Sequence, residues 1–522
     1  MSDFLQLHRA SAPAKGLTTW LADALRGAIV GGRLTVGSRL PATRTLAADL
    51  SISRGVVVDA YQRLVDEGLA EARTGAGTVV TSLGPSRRSR PIAAATAPLP
   101  EAAAARLPVD GAAQLSARAA AQLPALGGAP LPWAPAGPAF SLRLPLAAPP
   151  GIDIDLSPGV PDLAAFPRAA WLRAERAVLA EATTADLGYG DPAGSPRLRH
   201  ELAAWLGRTR RVQAEAGDVI VVNGVAQALA LLAQVLRRAV AVEDPGSRGA
   251  RDQLAHWGLP AVPVPVDEQG MQIDELRRTG LDLALLTPAH QFPTGVVLSP
   301  RRRAAFLDWA VDGNLIIEDD YDAEHRYDRA PVAALQASAP DLVAYAGSTS
   351  KSLAPGMRLG WLVAPSRLRT QLIAAKHASD LGNPGLPQLV LAHLLASGGY
   401  ERHLRAVRTR QRIRRDALLA GLREHLPGAR VEGVAAGLHL LIMLPGQRVD
   451  DVELAGRIGA AGVLVQPLSW HRQRPGPPGL VLGYAAQTPD RLREAARRLG
   501  QAVDRQSSTR RAPVAHKPPR VS

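Results

Sequence analysis

One lysine lies in a short polar segment whose residue types could support covalent chemistry. In GSTSKSLAPGMR (347–358), Lys351 is surrounded by small hydroxylated residues such as Ser348, and Arg358 follows. A lysine amine attacks aldehydes once it is deprotonated, which a partly desolvated pocket promotes. An isolated lysine of this kind is usually a solvated side chain in a Ser/Thr loop. The apolar flanks LVAYAG and LGWLV instead favour a buried Schiff-base lysine.

A second polar segment, distant in sequence, offers further groups for the same chemistry. IIEDDYD (316–322) places Asp319, Asp320 and Tyr321 after an apolar run, where α/β sheets bind ligands. Pyridoxal phosphate (PLP), the commonest aldehyde cofactor, needs a lysine, a carboxylate for its pyridinium nitrogen, a donor for its phenolic oxygen and phosphate ligands. The hydroxyl and guanidinium groups beside the lysine could bind the phosphate. Alone, the two aspartates would equally fit a helix cap, a metal site or a solvated turn.

The elements around both segments alternate between short apolar runs and longer amphipathic ones across residues 152–505. The predicted buried strands are VIVV (219–222), AVAV (239–242), LALLTP (283–288), LIIEDD (315–320) and LVAYAG (342–347). The segments between them have a helical pattern. This alternation predicts an α/β domain with a mostly parallel sheet.

Residues 1–81 predict a separate domain of three helices and a small β-hairpin. The first helix ends at Gly31-Gly32, the second begins near Pro41 or Ala42, and Ser53 caps the third. The inward-facing positions expected on these helices are Leu17, Leu21, Leu25, Ile29, Leu46, Leu50, Val57, Tyr61 and Leu64. AEARTGAGTVV then predicts the hairpin, with a Gly-rich tip.

The tight pair formed by the second and third helices fits helix-turn-helix geometry. The N-terminal end of the third helix would enter the major groove. The residues expected to contact DNA are Arg44, Ser53, Arg54 and Gly55, with Thr74 and Gly75 at the tip of the wing. The alternative is a three-helix packing module with solvated arginines.

Composition separates the remaining segments and limits the classes of function. Residues 82–151 are rich in Ala, Pro, Arg and Gly and are expected to be a linker, and the basic tail 506–522 is expected to be disordered. The net charge of +14 suggests a polyanionic partner or only a basic surface. The chain has no cysteine, which excludes disulfides and thiolate metal sites. Neither a secretory signal nor a membrane span is expected.

Residues 17–81 resemble the winged helix-turn-helix of GntR-type regulators, an α+β domain. The match consists of G-x-L-x-x-G-x-x-L-P-x-x-R-x-L-A, then S-R-x-x-V, then L-x-x-E-G, in GRLTVGSRLPATRTLAADLSISRGVVVDAYQRLVDEGL. The resemblance implies DNA contacts by Arg44, Ser53, Arg54 and Gly75. Gly55 departs from the pattern, because the family usually has a polar residue there.

Residues 152–505 resemble class I/II aminotransferases of fold type I, and the whole chain resembles the MocR subfamily of GntR regulators. The motifs include LGYGDPAGSPRLRHELAAWL (187–206), VEDPG (242–246), TPAHQFPTGVVLSP (287–300) and AGSTSKSLAPGMRLGW (346–361). The resemblance implies PLP bound to Lys351, a pyridinium carboxylate at Asp319 and a phenolate partner at Tyr321. It implies phosphate ligands at Ser348 and Arg358. Tyr189 matches a tyrosine that reaches the phosphate from a neighbouring subunit, which implies a homodimer.

Several positions depart from the aminotransferase pattern. Ser247 replaces the aromatic residue that stacks on the cofactor, and Val225-Ala226 replace side chains of the phosphate-binding turn. Val481 stands where an arginine usually holds a substrate carboxylate, and Phe292 replaces the asparagine of NPTG. His290 is expected to be a packing or supporting residue rather than a catalytic base.

Two main accounts of the chain follow. In the first, it is a cytoplasmic DNA-binding transcription regulator that senses an amine or amino-acid effector by aldimine exchange at Lys351. In the second, it is an active PLP-dependent aminotransferase that carries a DNA-binding domain. Val481 argues against efficient turnover, because a substrate would be poorly held. A third possibility is a degenerate domain that binds no cofactor and only dimerises.

Overall fold

The computed structural model describes an N-terminal region and a larger C-terminal region. The described residues are 12–13, 16–30, 33–66, 69–73, 77–81, 151–327, 332–433, 436–444 and 450–509. Nearly all of the predicted linker, as well as Thr74 and Gly75 of the predicted wing tip, lies outside these ranges. Among the helices in these ranges, none is both long and apolar enough to cross a membrane.

Three helices build the N-terminal region, as the apolar spacing predicts. They are α1 (Leu17–Val30), α2 (Thr43–Asp49) and α3 (Arg54–Asp66). The predicted inward positions are buried at Leu21, Leu25, Ile29, Leu46, Leu50, Val57, Tyr61 and Leu64, and Leu17 is half-buried. One apolar core therefore holds the three helices together.

A tight connection joins α2 to α3. Ser51 adopts a left-handed backbone conformation with φ of 50°. The backbone N–H of Val56 donates a long hydrogen bond of 3.4 Å to Ser53 Oγ, which agrees with the predicted N-cap. The buried hydroxyl of Tyr61 donates to the carbonyl oxygen of Pro41 at 2.7 Å and fixes α3 against the start of α2.

The predicted hairpin is present after α3. Strands β1 (Ala70–Arg73) and β2 (Gly77–Val80) pair antiparallel, with Ala70 opposite Val80. The backbone N–H of Leu40 donates to the carbonyl oxygen of Thr78 at 2.8 Å. The hairpin is therefore hydrogen-bonded to the segment before α2, as a wing is.

An eight-stranded sheet forms the centre of residues 151–509. After the short strand β3 (Ile154–Asp155), its strands are β4 (Val219–Val222), β5 (Val240–Asp244), β6 (Ala261–Asp267), β7 (Gly270–Met271), β8 (Leu283–Leu286), β9 (Leu315–Asp320), β10 (Val343–Ser348) and β11 (Gly360–Val363). The spatial order is β4-β11-β10-β9-β8-β5-β6-β7. Strands β6, β5, β8, β9 and β10 run parallel, whereas β7 and β11 pair antiparallel with their neighbours. The prediction of a mostly parallel sheet is confirmed.

Helices cover both faces of this sheet. The helices of residues 168–425 are α4 (Arg168–Glu181), α5 (Pro196–Arg210), α6 (Val225–Leu236), α7 (Arg248–His256), α8 (Ile273–Thr279), α9 (Pro300–Val311), α10 (Ser366–Asp380), α11 (Gly385–Ala396) and α12 (Gly399–His425). Successive residues of β4 pack into different clusters: Val219 joins Trp205 and Trp361, and Ile220 joins Leu229. A strand buried on both faces explains why its sequence, VIVV, is continuously apolar.

A smaller sheet follows. Its elements are β12 (Arg430–Glu432), β13 (His439–Met443), α13 (Asp451–Ala460), β14 (Val463–Leu464), β15 (Gln466–Pro467), β16 (Gly479–Gly483) and α14 (Pro489–Thr509). Strands β12, β13, β16 and β15 pair antiparallel in that order, and β14 pairs with β3. Helix α14 continues past residue 505, into the segment expected to be the tail; residues 510–522 lie outside the described residues.

Candidate functional site

Parallel pairing of β9 and β10 brings the acidic segment and the lysine segment to the same edge of the large sheet. Asp319 lies directly opposite Ala346 in this pairing. Ser348 ends β10, and Lys351 follows in the turn after the strand. The two segments therefore meet where parallel sheets bind ligands.

Lys351 is half-buried and has one hydrogen-bond acceptor close by. Its Nζ donates to the carbonyl oxygen of Gly159 at 2.5 Å. Burial lowers the pKa of the Lys351 ammonium, while the carboxylates of Asp322 and Asp319 act in the opposite direction. A lowered pKa increases the fraction of free amine, which is the form that reacts with aldehydes.

Asp319 offers a buried carboxylate oxygen to this space. Within the described residues, its Oδ1 atom is buried and has no hydrogen-bond partner. Burial, together with the nearby carboxylates of Asp320 and Asp322, raises the pKa of Asp319 to about 7, although Lys351 acts in the opposite direction. A cationic donor would satisfy this atom and favour the ionised carboxylate. The pyridinium of PLP is such a donor, so the acid fits the cofactor.

Asp320 has a different environment from its neighbour. Its Oδ2 atom accepts hydrogen bonds from Arg210 Nε at 2.6 Å and from the Tyr345 hydroxyl at 2.5 Å. Both Asp320 and Arg210 are buried. The structure therefore separates the two aspartates, since Asp320 is occupied by an internal ion pair and Asp319 is available. A solvated turn, one of the alternative interpretations of the pair, is excluded.

Tyr321 lies within a buried hydrogen-bonding group. Nδ1 of His290 lies 3.1 Å from the Tyr321 hydroxyl and 2.9 Å from Asp322 Oδ2. Burial by itself would raise the pKa of Asp322, but His290 and the other nearby imidazoles lower it overall. His290 therefore contacts both an ionised Asp322 and the Tyr321 hydroxyl. In this arrangement His290 supports the position of Tyr321.

His439 adjoins this group from β13. One ligand atom each from His290, Asp322 and His439 lies within 4.8 Å of the other two, a spacing that could accommodate a metal ion. Asp322 and His290 are already hydrogen-bonded to each other, and His439 Nε2 lies 3.2 Å from the carbonyl oxygen of Pro293. The contacts present are therefore those of a hydrogen-bonded cluster.

Arg358 and the start of α6 form a second part of the site. Arg358 adopts a left-handed conformation with φ of 50°, and its guanidinium donates to the carbonyl oxygen of Asn223. A Cβ atom on Gly224, the residue before α6, would lie 3.4 Å from Nη1 of Arg358. An arginine beside the N-terminus of a helix is a favourable arrangement for a phosphate group.

The other two predicted phosphate ligands differ in exposure. Ser348 is buried, and its Oγ lies 2.7 Å from Oγ of Ser350. Tyr189 is 87% exposed, and no hydrogen bond or ring contact joins it to the residues above in the described part of the chain. Such a side chain is available to a second subunit.

The departures from the aminotransferase pattern have visible structural roles. Ser247 caps α7, because its Oγ accepts a hydrogen bond from the backbone N–H of Ala250 at 3.2 Å. Val481 is fully buried in β16 and packs with Leu441 and Leu468. An arginine in that position would lie in an apolar cluster. Phe292 has its ring centroid 4.9 Å from that of His439.

The predicted DNA-contacting residues lie on the surface of the N-terminal region. Arg44, near the start of α2, and Ser53, Arg54 and Gly55, at the start of α3, are exposed. Nε of Arg54 lies 3.4 Å from Oγ1 of Thr43, so the first turns of α2 and α3 adjoin. Exposed polar side chains at the N-terminal end of a second helix are where a helix-turn-helix reads DNA.

Two family models match the chain. Residues 152–499 match the aminotransferase class I and II family, and residues 17–80 match the gntR family of bacterial regulatory proteins. The fold and site therefore define a GntR-type DNA-binding domain joined to a domain of the aminotransferase class I/II fold. Proteins with this fold generally depend on PLP, and GntR-type regulators bind operator DNA.

Full-length relatives narrow this class. The chain is 32% identical to the probable rhizopine catabolism regulatory protein MocR of Rhizobium meliloti over 498 residues, covering 92% of each chain. It is 29% identical to the pyridoxine biosynthesis transcriptional regulator PdxR of Corynebacterium glutamicum, covering 93% of this chain and 96% of that protein. The protein belongs to the MocR subfamily of GntR-type transcription regulators.

Solved aminotransferases share the fold of the larger region. A multiple substrate aminotransferase from Thermococcus profundus superposes with a TM-score of 0.66 at 26% identity, covering 73% of this chain and 98% of that one. An archaeal alanine:glyoxylate aminotransferase gives 0.63 at 27% identity, covering 68% and 91%. The fold-type-I prediction is confirmed.

The structure also adds residues that motif reasoning missed. Gly159 accepts from Lys351, Asn223 accepts from Arg358, and Asp322 pairs with His290. Only one of these carried a usable signal, because Asp322 directly follows the acidic segment in EDDYD. Gly159 and Asn223 contribute backbone carbonyl groups, which every residue has. Their roles therefore depend on their positions in the fold and cannot be predicted from residue type.

Proposed function

We propose that this regulator binds PLP through Lys351 and uses it to sense a small amine or amino acid. PLP supplies an aldehyde that forms an imine with a primary amine. The observation that carries the proposal is the shared sheet edge: the parallel pairing of β9 and β10 brings Asp319 and the Lys351 segment together, and the Asp319 carboxylate acts on the pKa of the lysine amine. In this assignment Asp319 binds the pyridinium nitrogen and Tyr321 donates to the phenolic oxygen.

Ser348, Arg358 and the backbone N–H groups at the start of α6 hold the phosphate in this proposal. The left-handed Arg358, hydrogen-bonded beside Gly224, supports this role. Tyr189 of each subunit would reach the phosphate of the other, so the functional unit is a homodimer. The high exposure of Tyr189 in the single chain supports its availability.

The DNA-binding domain, residues 1–81, would bind operator DNA. Its contacts would be Arg44, Ser53, Arg54 and Gly55 of the helix pair and Thr74 and Gly75 of the wing. Residues 82–151 tether it to the sensing domain, 152–505. Effector binding and operator binding must then be thermodynamically coupled, so each changes the affinity of the other by the same factor.

An active aminotransferase is the second candidate. The apolar burial of Val481 disfavours it, because the usual position of a carboxylate-binding arginine is part of a hydrophobic cluster. The degenerate alternative, a domain without cofactor, is disfavoured by the available carboxylate of Asp319 and by the position of Arg358.

Absorbance spectroscopy of the purified protein tests this proposal. Added PLP should produce a visible imine band, and borohydride reduction followed by peptide mass spectrometry should place the label on Lys351. Lys376 is an internal control, since it is also buried and has a lowered pKa. Lys351→Ala should remove the band, and a wild-type protein that stays colourless with PLP would refute the cofactor assignment.

The same material distinguishes sensing from turnover. A panel of amines and amino acids should change the spectrum for the effector class and alter operator affinity in parallel. Incubation with amino acids and 2-oxo acids should yield little product. Rapid multiple turnover would instead favour the aminotransferase account.

A further inference from the structure

An ion pair between a fully buried lysine and a partly exposed aspartate lies near the C-terminal end of α10. Nζ of Lys376 lies 3.0 and 2.9 Å from Oδ1 and Oδ2 of Asp380, and the lysine side chain has no exposed surface. Burial lowers the pKa of Lys376, and Asp380 opposes this effect. A buried lysine is costly to desolvate, and an apolar pair of residues could replace the ion pair at little cost in folding stability. The pair therefore calls for a reason other than stability.

Asp380 also holds residues from the start of α6. Its Oδ2 atom accepts hydrogen bonds from Asn223 Nδ2 at 3.0 Å and Gln227 Nε2 at 2.6 Å. Gln227 Oε1 in turn accepts from the backbone N–H of Asn223 at 2.8 Å and lies 3.3 Å from Lys376 Nζ. The ion pair and Gln227 thus fix both the backbone and the side chain of Asn223.

Asn223 connects this network to the phosphate-binding part of the site. Its carbonyl oxygen accepts from the guanidinium of Arg358, and its Oδ1 accepts from Asn383 Nδ2 at 2.8 Å. Asn223 directly precedes Gly224, which has φ of 83° and leads into α6. Asn223 therefore has two roles. It leads into the turn that directs the first N–H groups of α6, and its carbonyl oxygen orients Arg358.

We propose that Lys376, Asp380 and Gln227 are positioning residues that hold the Asn223–Gly224 turn and Arg358 in place for the cofactor phosphate. The inference rests on the proposed function, because it assigns these residues to the same site. It also accounts for Val225 and Ala226: with no side-chain donors at the first turn of α6, the phosphate depends on backbone N–H groups and Arg358, whose aim the network sets.

A comparison of two aldehydes distinguishes a role of these three residues in positioning the phosphate from a general structural role. The apparent Kd for imine formation is measured by absorbance for PLP and for 5′-deoxypyridoxal, which lacks the phosphate, in the full-length protein. Lys376→Met, Asp380→Asn and Gln227→Met should each raise the Kd for PLP about tenfold or more, by analogy with residues that orient metal ligands. The Kd for 5′-deoxypyridoxal should stay within about twofold.

Arg302→Met is the matched control. It removes an ion pair of 3.0 Å between Arg302, on α9, and Asp267, in β6, and the other hydrogen bonds of the Arg302 guanidinium are with β7. It should leave both Kd values unchanged. Equal weakening for both aldehydes in the three variants, or an unchanged Kd for PLP, would overturn the positioning role. Gln227→Met changes no charge, so it keeps the test valid if the charge variants unfold. Failure of the wild type to bind PLP would instead refute the proposed function itself.

Discussion

The amine of Lys351 lies 2.5 Å from the carbonyl oxygen of Gly159. Gly159 has φ of 85°, and a Cβ atom built on it would lie 3.0 Å from Nζ of Lys351. A carbonyl acceptor stabilises the protonated amine, so this contact must break before the lysine can attack an aldehyde. The segment after β3 therefore helps to set the resting position of the lysine.

Gly159→Ala should weaken formation of the imine with PLP. The added methyl group crowds the Lys351 amine, and the left-handed backbone should cost about 1–2 kcal/mol of folding stability. PLP titration by absorbance and thermal unfolding measure the two effects. Gly217→Ala is the control, because a Cβ there meets nothing within 4 Å. An unchanged PLP affinity in Gly159→Ala would show that the contact does not restrain the lysine.

Asp319→Asn should change how the stability of the cofactor-free protein depends on pH. Burial raises the pKa of Asp319 to about 7, from an ordinary value of 3.8. The folded protein then holds a proton that the unfolded chain has released, so this stabilisation is present below about pH 4 and is lost as pH rises through about 7. Asparagine cannot ionise, and the variant should lose less stability over that range.

Across this pH range, the loss of folding stability should be about 1–2 kcal/mol larger for the wild type than for Asp319→Asn. Each tenfold change in proton affinity corresponds to about 1.4 kcal/mol. The effect is reduced by solvent screening, because Asp319 is only half-buried. Urea unfolding at several pH values measures it. The exposed Asp274→Asn should follow the wild type. Parallel profiles for the wild type and Asp319→Asn would contradict the raised pKa.

Arg54→Ala should weaken operator binding by about 1–3 kcal/mol if Arg54 reads a base. Arg54 is exposed at the first position of α3, and the N-terminal end of the second helix is the part of a helix-turn-helix that contacts bases. Affinity is measured at fixed salt on operator and unrelated DNA. Arg277→Ala removes one exposed positive charge from α8 and controls for net charge. Equal operator affinities for the two variants would count against α3 as the recognition helix.

Ser247→Ala should lower stability by about 1 kcal/mol through loss of the α7 cap, while PLP affinity stays unchanged. Ser299→Ala removes a comparable cap from α9, where Ser299 Oγ accepts from Arg302 N–H at 3.2 Å, and should have a similar effect on thermal unfolding. A fall in PLP affinity confined to Ser247→Ala would show that this hydroxyl contacts the cofactor.

Local periodicity was sufficient to predict most of the elements. The stripe from Leu17 to Ile29 predicts α1, and LIIEDD corresponds to β9 at both ends. The bounds predicted from AVAV (239–242) are less accurate, since β5 begins at Val240 and continues to Asp244. The strand extends because its polar end, Glu243 and Asp244, is buried at the sheet edge, where a pattern of apolar residues gives no signal.

Side-chain chemistry and motif spacing determined which groups this protein brings to its site: an amine, carboxylates, a phenol and a guanidinium. Only the tertiary structure decided which of two adjacent acids is available. Arg210, from α5, forms an ion pair with Asp320, whereas no ion pair reaches Asp319 among the described residues. Likewise, the i,i+4 spacing of Lys376 and Asp380 is visible in the sequence, but the contacts of this pair with Asn223 and Gln227 come from the packing of α10 against the start of α6. Residue type fixes what a group can do, but its neighbours in space fix whether its charge is already satisfied.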